Sequence, residues 1–267
     1  MSKFIDKLKE TSQAVVQPMG FGRRRPASPR PRILLVASLG EANVSKLAEL
    51  VAGADAALLD ISDLENDTKA LQGCAAAVPD IPWGGWLRGS QWRKSQTFKA
   101  LGPDFVVFPA ESTPLEVLED TAAGKIVEVK ATLSEGLLRT IDELPVDGVL
   151  AFLEGRDSPF LTWQELMLFE RLGGLVAKPL LVPVPLKVTA GELKMLWEAG
   201  VDGVILTLGP GQPRGGLRQL RQAVDRLAFP LKKRRERVKA LLPQVGGAAG
   251  TEEEDIGEEE EELPSDL

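Results

Sequence analysis

Between residues 32 and 229 the chain alternates short runs rich in Val, Ile and Leu with stretches of helical periodicity, and it does so eight times. The apolar runs fall at 33–39, 56–61, 81–87, 105–110, 125–131, 148–153, 179–186 and 203–208, and the helix-period stretches at 44–51, 64–71, 92–101, 114–121, 134–144, 162–172, 189–199 and 216–227. Because the runs are apolar on successive residues, both faces of each strand must be covered. Residues suited to helix N-caps precede most of the helical stretches (Asn43, Ser112 or Thr113, Ser134, Thr162, Thr189), and Gly or Pro often follows them. This pattern predicts a closed (βα)8 barrel in the α/β class, with an open doubly wound sheet as the competing arrangement.

A weaker repeat runs inside the first. The second, fourth, sixth and eighth apolar runs are each entered through a small or Pro residue, one further residue and then Asp: Gly53-Ala54-Asp55, Gly102-Pro103-Asp104, Pro145-Val146-Asp147 and Gly200-Val201-Asp202. The spacing suits a (βα)2 unit repeated four times. These carboxylates fall at the strand N-termini, the face of such barrels that carries stability, and are expected to be structural.

Composition narrows the chemistry. With no His, no Tyr and the single Cys74, His/Cys zinc sites, Ser-His-Asp triads, Cys-His dyads and disulfide frameworks are excluded. Any catalysis must use carboxylates, Lys, Arg, hydroxyls or a borrowed cofactor. The net charge of −7 conceals three regions. Residues 251–267 hold ten acids and no base, so the rest of the chain is +3, and residues 1–32 carry eight Lys or Arg against Asp6 and Glu10. The expected division is therefore 1–31, an N-terminal helix and basic linker; 32–229, the barrel; 230–245, a basic helix; and 246–267, an acidic disordered tail.

An amphipathic helix is predicted over 2–16, with Ser2 as N-cap and Phe4, Ile5 and Leu8 on one face. That face can dock on the barrel or rest on an anionic membrane surface. With no continuous apolar h-region and one thiol, the expected location is cytoplasmic. Partner contacts are expected through the charged termini, with no specific nucleic-acid site.

Catalytic side chains of such barrels stand at the strand C-termini. In the fifth run, Glu128 and Lys130 are two apart and share a face, which must be the interior or the mouth; both are expected there and close enough to interact. A Lys beside carboxylates with little water could have the lowered pKa of a Schiff-base nucleophile or proton shuttle; the other reading is an internal ion pair. Lys130, Glu128 and Glu111 are thus the candidate catalytic groups, with Arg88 nearby. Asp60, Glu111, Glu128 and Glu154 could ring the mouth with oxygens suited to Mg2+, although no metal site is assigned. Trp83 and Trp86 fall on opposite faces of the third strand.

The segment 178–211, KPLLVPVPLKVTAGELKMLWEAGVDGVILTLGPG, resembles the seventh strand, helix and eighth strand of the phosphate-binding (βα)8 barrels, a superfamily that includes indole-glycerol-phosphate synthase and thiamin-phosphate synthase. The resemblance implies an anion held after the last two strands, by Gly209, Gly211, Arg214, Gly215 and Gly216 with Lys187 opposite. Oriented N–H groups at a helix N-terminus suit that role. Where that superfamily has a Gly-Gly pair after strand seven, this chain has Pro183-Val184-Pro185-Leu186, and Pro offers no N–H. Two functions are therefore expected, in this order: a non-catalytic scaffold or binding protein using its charged termini, or a lyase, isomerase or aldolase acting on a small phosphorylated or carboxylated metabolite.

Overall fold

In a computed structural model of the chain, the described residues are 2–12, 33–39, 47–60, 81–87, 101–118, 122–155, 158–209, 215–227 and 229. Eight parallel strands close into a barrel in chain order: β1 (Leu34–Leu39), β2 (Ala56–Asp60), β3 (Trp83–Trp86), β4 (Phe105–Pro109), β5 (Gly124–Lys130), β6 (Gly148–Phe152), β7 (Leu180–Val184) and β8 (Gly203–Leu208). The helices are α1 (Lys3–Ser12), α2 (Leu47–Leu50), α3 (Glu135–Thr140), α4 (Trp163–Leu175), α5 (Ala190–Glu198) and α6 (Gly216–Arg226). The described residues fall within one compact unit; the basic linker, the basic helix expected over 230–245 and the acidic tail expected over 246–267 lie outside the described residues.

The strands are staggered as closure requires. One row of register partners runs Pro109, Glu128, Leu150, Leu181, Gly203, Leu34, from the end of β4 to the start of β1. That climb is the strand tilt of a (βα)8 barrel. Strand alternation then sorts the core. Val127, Val129, Val149, Val182 and Val204 face outward to Leu138, Phe169, Leu193 and Leu217, whereas Leu34, Val36, Leu58, Phe105, Val107, Ile126 and Leu150 fill the interior.

Thr162 and Thr189 start α4 and α5 with capping boxes, each hydroxyl accepting from the N–H three residues on while Glu165 or Glu192 reaches back. Three expectations are corrected. Ser134 precedes α3 but makes no side-chain cap, and α3 ends at Thr140, with a 3-10 turn over Ile141–Glu143 completing the stretch. The described part of the helix expected over 114–121 is a 3-10 turn at Leu115–Leu118. The helices expected over 64–71 and 92–101 lie outside the described residues.

The four repeat aspartates stand at the strand N-termini, and three of them share one device. The backbone N–H groups of Asp55, Asp147 and Asp202 donate to the carbonyls of Leu35, Lys125 and Leu180 at 2.7, 2.7 and 2.8 Å. The N–H groups of those same residues donate back to the Asp carboxylates at 3.0, 3.0 and 2.8 Å. Strands β2, β6 and β8 therefore each grip the start of the odd strand before them at two points. Asp104 keeps the backbone bond, to Trp83, but turns its carboxylate to α1.

There it accepts from the N–H groups of Lys3 and Phe4 and from the Ser2 hydroxyl, all at 2.8 Å, while the Ser2 oxygen accepts from the Ile5 N–H. A carboxylate on a helix N-terminus satisfies orphan donors and matches the dipole. Lys7 and Lys9 pair with Asp55 and Asp147 at 3.2 and 2.6 Å. Burial pushes the Asp147 carboxyl up, but the Lys9 ammonium and the Lys125 N–H outweigh it and hold the group below its ordinary value. Phe4, Ile5 and Leu8 enter the barrel base, Phe4 with its ring centroid 4.5 Å from that of Phe105. A ten-residue helix is marginal in isolation; the barrel floor supplies its partners. The apolar face available for a membrane surface is thus occupied inside the molecule.

Candidate functional site at the barrel mouth

At the other end, interior-facing positions emerge as Asp60, Trp86, Pro109, Glu128, Lys130 and Thr207. A cleft of about 270 Å³ opens between β4, β5 and β6, lined by Pro109, Glu111, Ser112, Glu128, Val129, Lys130 and Phe152. Glu128 and Lys130 share it, as their spacing demands, and Glu111 joins them. All three candidate catalytic residues are therefore brought together.

Their pairing differs from the sequence expectation. The Lys130 Nζ lies 2.8 Å from Glu154 and 3.1 Å from Glu111, carboxylates at the ends of the two flanking strands. Glu128 accepts the indole N–H of Trp86 at 2.5 Å. Hydrogen bonds to Glu154 and then Glu111, reinforced by their charge, hold the Lys130 ammonium above lysine's ordinary range. That direction is opposite to the lowering a Schiff-base lysine needs, because the side chain is 37% exposed and attraction outweighs desolvation. Nor is this a sealed ion pair, since Glu111 and Glu154 are 64% and 65% exposed. Exposed pairs stabilise little. Lys130→Ala is accordingly expected to leave Tm within about 2 °C of the parent; a larger fall in thermal denaturation would mean the pair is buried in solution.

The ring of oxygens for Mg2+ is not assembled. Among the described residues, no group of three or more ligating side chains gathers around a common point, and the Lys130 ammonium already occupies the space between Glu111 and Glu154. Sequence reasoning named Glu154 only as part of that ring. Its role as a Lys130 partner follows from β6 lying beside β5, which chain order in a closed barrel makes predictable. Trp86 meets Glu128 across β4, a contact that strand counting does not reveal.

On the β7–β8 side, Lys187 is exposed in the turn after β7, and α6 begins after Gly215, whose φ of +84° favours glycine. This helix has no side-chain cap and no acid in its first turn. The hollow beside Gly215 and Gly216, about 100 Å³, is walled by Leu50, Leu186, Leu206, Leu208, Leu217 and Leu220. Gly209 is described, while Gly211, Arg214 and Arg88 lie outside the described residues.

No protein-family model and no curated protein matches the chain. Solved structures do. A thiamine phosphate pyrophosphorylase from Pyrococcus furiosus is 17% identical, with a TM-score of 0.55 over 72% of this chain and 96% of its own. A ligand-free tryptophan synthase from Mycobacterium tuberculosis is 14% identical, with a TM-score of 0.54 over 84% of this chain and 98% of its own. The chain shares the closed (βα)8-barrel fold of these proteins. At these identities the fold is what is shared. Among the described residues, no helix is long and apolar enough to cross a membrane.

Proposed function

We propose that this barrel is a binding scaffold and not a lysine-dependent lyase, isomerase or aldolase. The pairing of Lys130 carries the reading. A Schiff-base mechanism needs a neutral amine, and Lys130 is held as an ammonium by Glu111 and Glu154. Glu111 was the acid or base expected to serve it, and Glu128 is engaged by Trp86. The would-be catalytic set is thus composed of groups that neutralise or hold one another. The basic stretch 17–31 and the acidic run 251–266 belong to the same proposal, as surfaces for partners.

The test is reductive trapping. The full chain is incubated near pH 7.5 with cyanoborohydride and a panel of phosphorylated and carboxylated aldehydes and ketones, and the products are mapped by mass spectrometry. Lys130 is expected to be modified no faster than other exposed lysines. A stoichiometric adduct at Lys130 with one panel member, abolished in Lys130→Ala, overturns the scaffold reading.

A second reading is favoured by the start of α6. An uncapped N-terminus entered through a left-handed Gly215, with Lys187 nearby in the β7 turn, suits a small anion. Protection of the protein against thermal unfolding by millimolar phosphate, lost in Lys187→Ala, would support that alternative.

A further inference from the structure

Seven of the nine large exposed apolar side chains described lie between residues 115 and 167: Leu115, Leu137, Leu144, Phe152, Phe160, Trp163 and Met167. The topology puts all of them but Leu144, which leads into the start of β6, at the mouth end. Those six stand in the turn after β4, the first turn of α3, the end of β6, the segment before α4 and the first two turns of α4. Arg171, two turns into α4, donates to the carbonyls of Ala131 and Leu133 just past β5 at 3.2 and 3.0 Å, so the residues before it rise over the rim. Trp163 and Met167, one turn apart on α4, are 73% and 69% exposed. Exposed aromatic and Met side chains in one sector are the residue types of an interface core.

The same sector is acidic. Glu111, Glu116, Glu135 and Glu154 are exposed there, with Glu128 in the cleft. Against these five carboxylates stand three cations: Lys130, shared by two of them, Arg171, beside Glu135, and Arg139 in the last turn of α3. The described sector is therefore net negative around an apolar rim. An anionic lipid surface or polyanion would be repelled by it, and a small metabolite would not span three successive β–α connections.

We infer that the β4–β6 sector of the mouth is a docking surface for a basic amphipathic helix of a protein partner, whose apolar face covers Trp163, Met167 and their neighbours and whose Lys or Arg side chains meet Glu111 and Glu154. Helix-in-groove recognition uses apolar anchors at helical spacing, and charge complementarity fixes orientation and speeds association. This inference rests on the scaffold reading and gives that scaffold its partner class.

The probe is a fluorescein-labelled 16-residue peptide of Lys and Leu patterned as an amphipathic helix, titrated with the full chain in fluorescence anisotropy. A Leu/Lys scramble of equal composition and a Glu-for-Lys version are run in parallel. The patterned basic peptide is expected to bind and the other two to bind about tenfold more weakly or not at all. Because the acidic run 251–266 also attracts cations, mouth variants decide the outcome. The Trp163→Ser/Met167→Ser double variant, altered only at exposed positions, is expected to weaken binding about tenfold or more, and Glu111→Gln/Glu154→Gln to weaken it and flatten its salt dependence. Absence of binding, equal binding of the scramble, or binding unchanged in both mouth variants overturns the inference. Should the peptide fail while Lys130 still resists trapping, the docking surface falls and the scaffold reading stands.

Discussion

Replacing Phe4 by Ala is expected to cost about 3–5 kcal/mol and to lower Tm by about 10 °C. Phe4 is fully buried with its ring centroid 4.5 Å from that of Phe105, inside a cluster that Ile5 and Leu8 form with the barrel interior. Its removal leaves a cavity where α1 meets the strands, and the helix has few other apolar anchors with which to collapse into it. The comparison is Leu115→Ala, which truncates a side chain that is 89% exposed and is expected to change Tm little. Chemical or thermal denaturation of the two variants checks both. Equal stability of Phe4→Ala and the parent would mean that α1 leaves the barrel base in solution.

The second large effect is expected at Gly124, the first residue of β5. A Cβ built there falls 2.2 Å from Cγ1 of Ile5 and 3.0 Å from the Ser2 hydroxyl. Gly124→Ala therefore drives a methyl into the seat of α1 and is expected to cost about 1–3 kcal/mol. If the clash with Ile5 is the cause, Ile5→Ala relieves it. The double variant is then expected to be more stable than the sum of the two single changes by about 0.5–3 kcal/mol. Strict additivity in a denaturant series would locate the damage in the strand, not in the helix seat.

These two residues also show where sequence reading stops. The alternation of apolar runs and helical stretches specifies a closed barrel because strands buried on both faces need helices outside and each other inside. The Asp repeat was legible for a related reason: the same residue at the same place in four units implies one local job. What that job is, a two-point grip on the preceding strand, depends on register. Its exception, Asp104 turned to cap α1, depends on where the N-terminus arrives. An amphipathic helix over the first residues was readable from Phe4, Ile5 and Leu8, but a helical period specifies an apolar face and says nothing of what covers it. Gly124 and Gly148, which face Ile5 and Leu8, carry the complementary signal, and it is visible only once the barrel base is assembled.

The mouth divides in the same way. Strand parity placed Glu128 and Lys130 on one face, and they do share a cleft. The protonation behaviour of Lys130 was missed, because it depends on side chains from β4 and β6 whose approach to Nζ no spacing along β5 encodes. The reading of the β7–β8 loops rested on a resemblance over some forty residues. The described part of that region pairs a glycine-entered helix with a leucine wall, a mixture the resemblance alone would not suggest.

In the scaffold reading Lys130 is a held cation. Its charge state can be followed directly by NMR, through the Cε and Nζ shifts of selectively labelled lysine in the full chain, assigned with Lys130→Arg and titrated from neutral to alkaline pH. The scaffold reading predicts that Lys130 titrates above lysine's ordinary value of 10.5 and that Glu111→Gln/Glu154→Gln brings it back down. A Lys130 that loses its proton below pH 9 in the parent protein would contradict it and return the residue to the candidate nucleophiles.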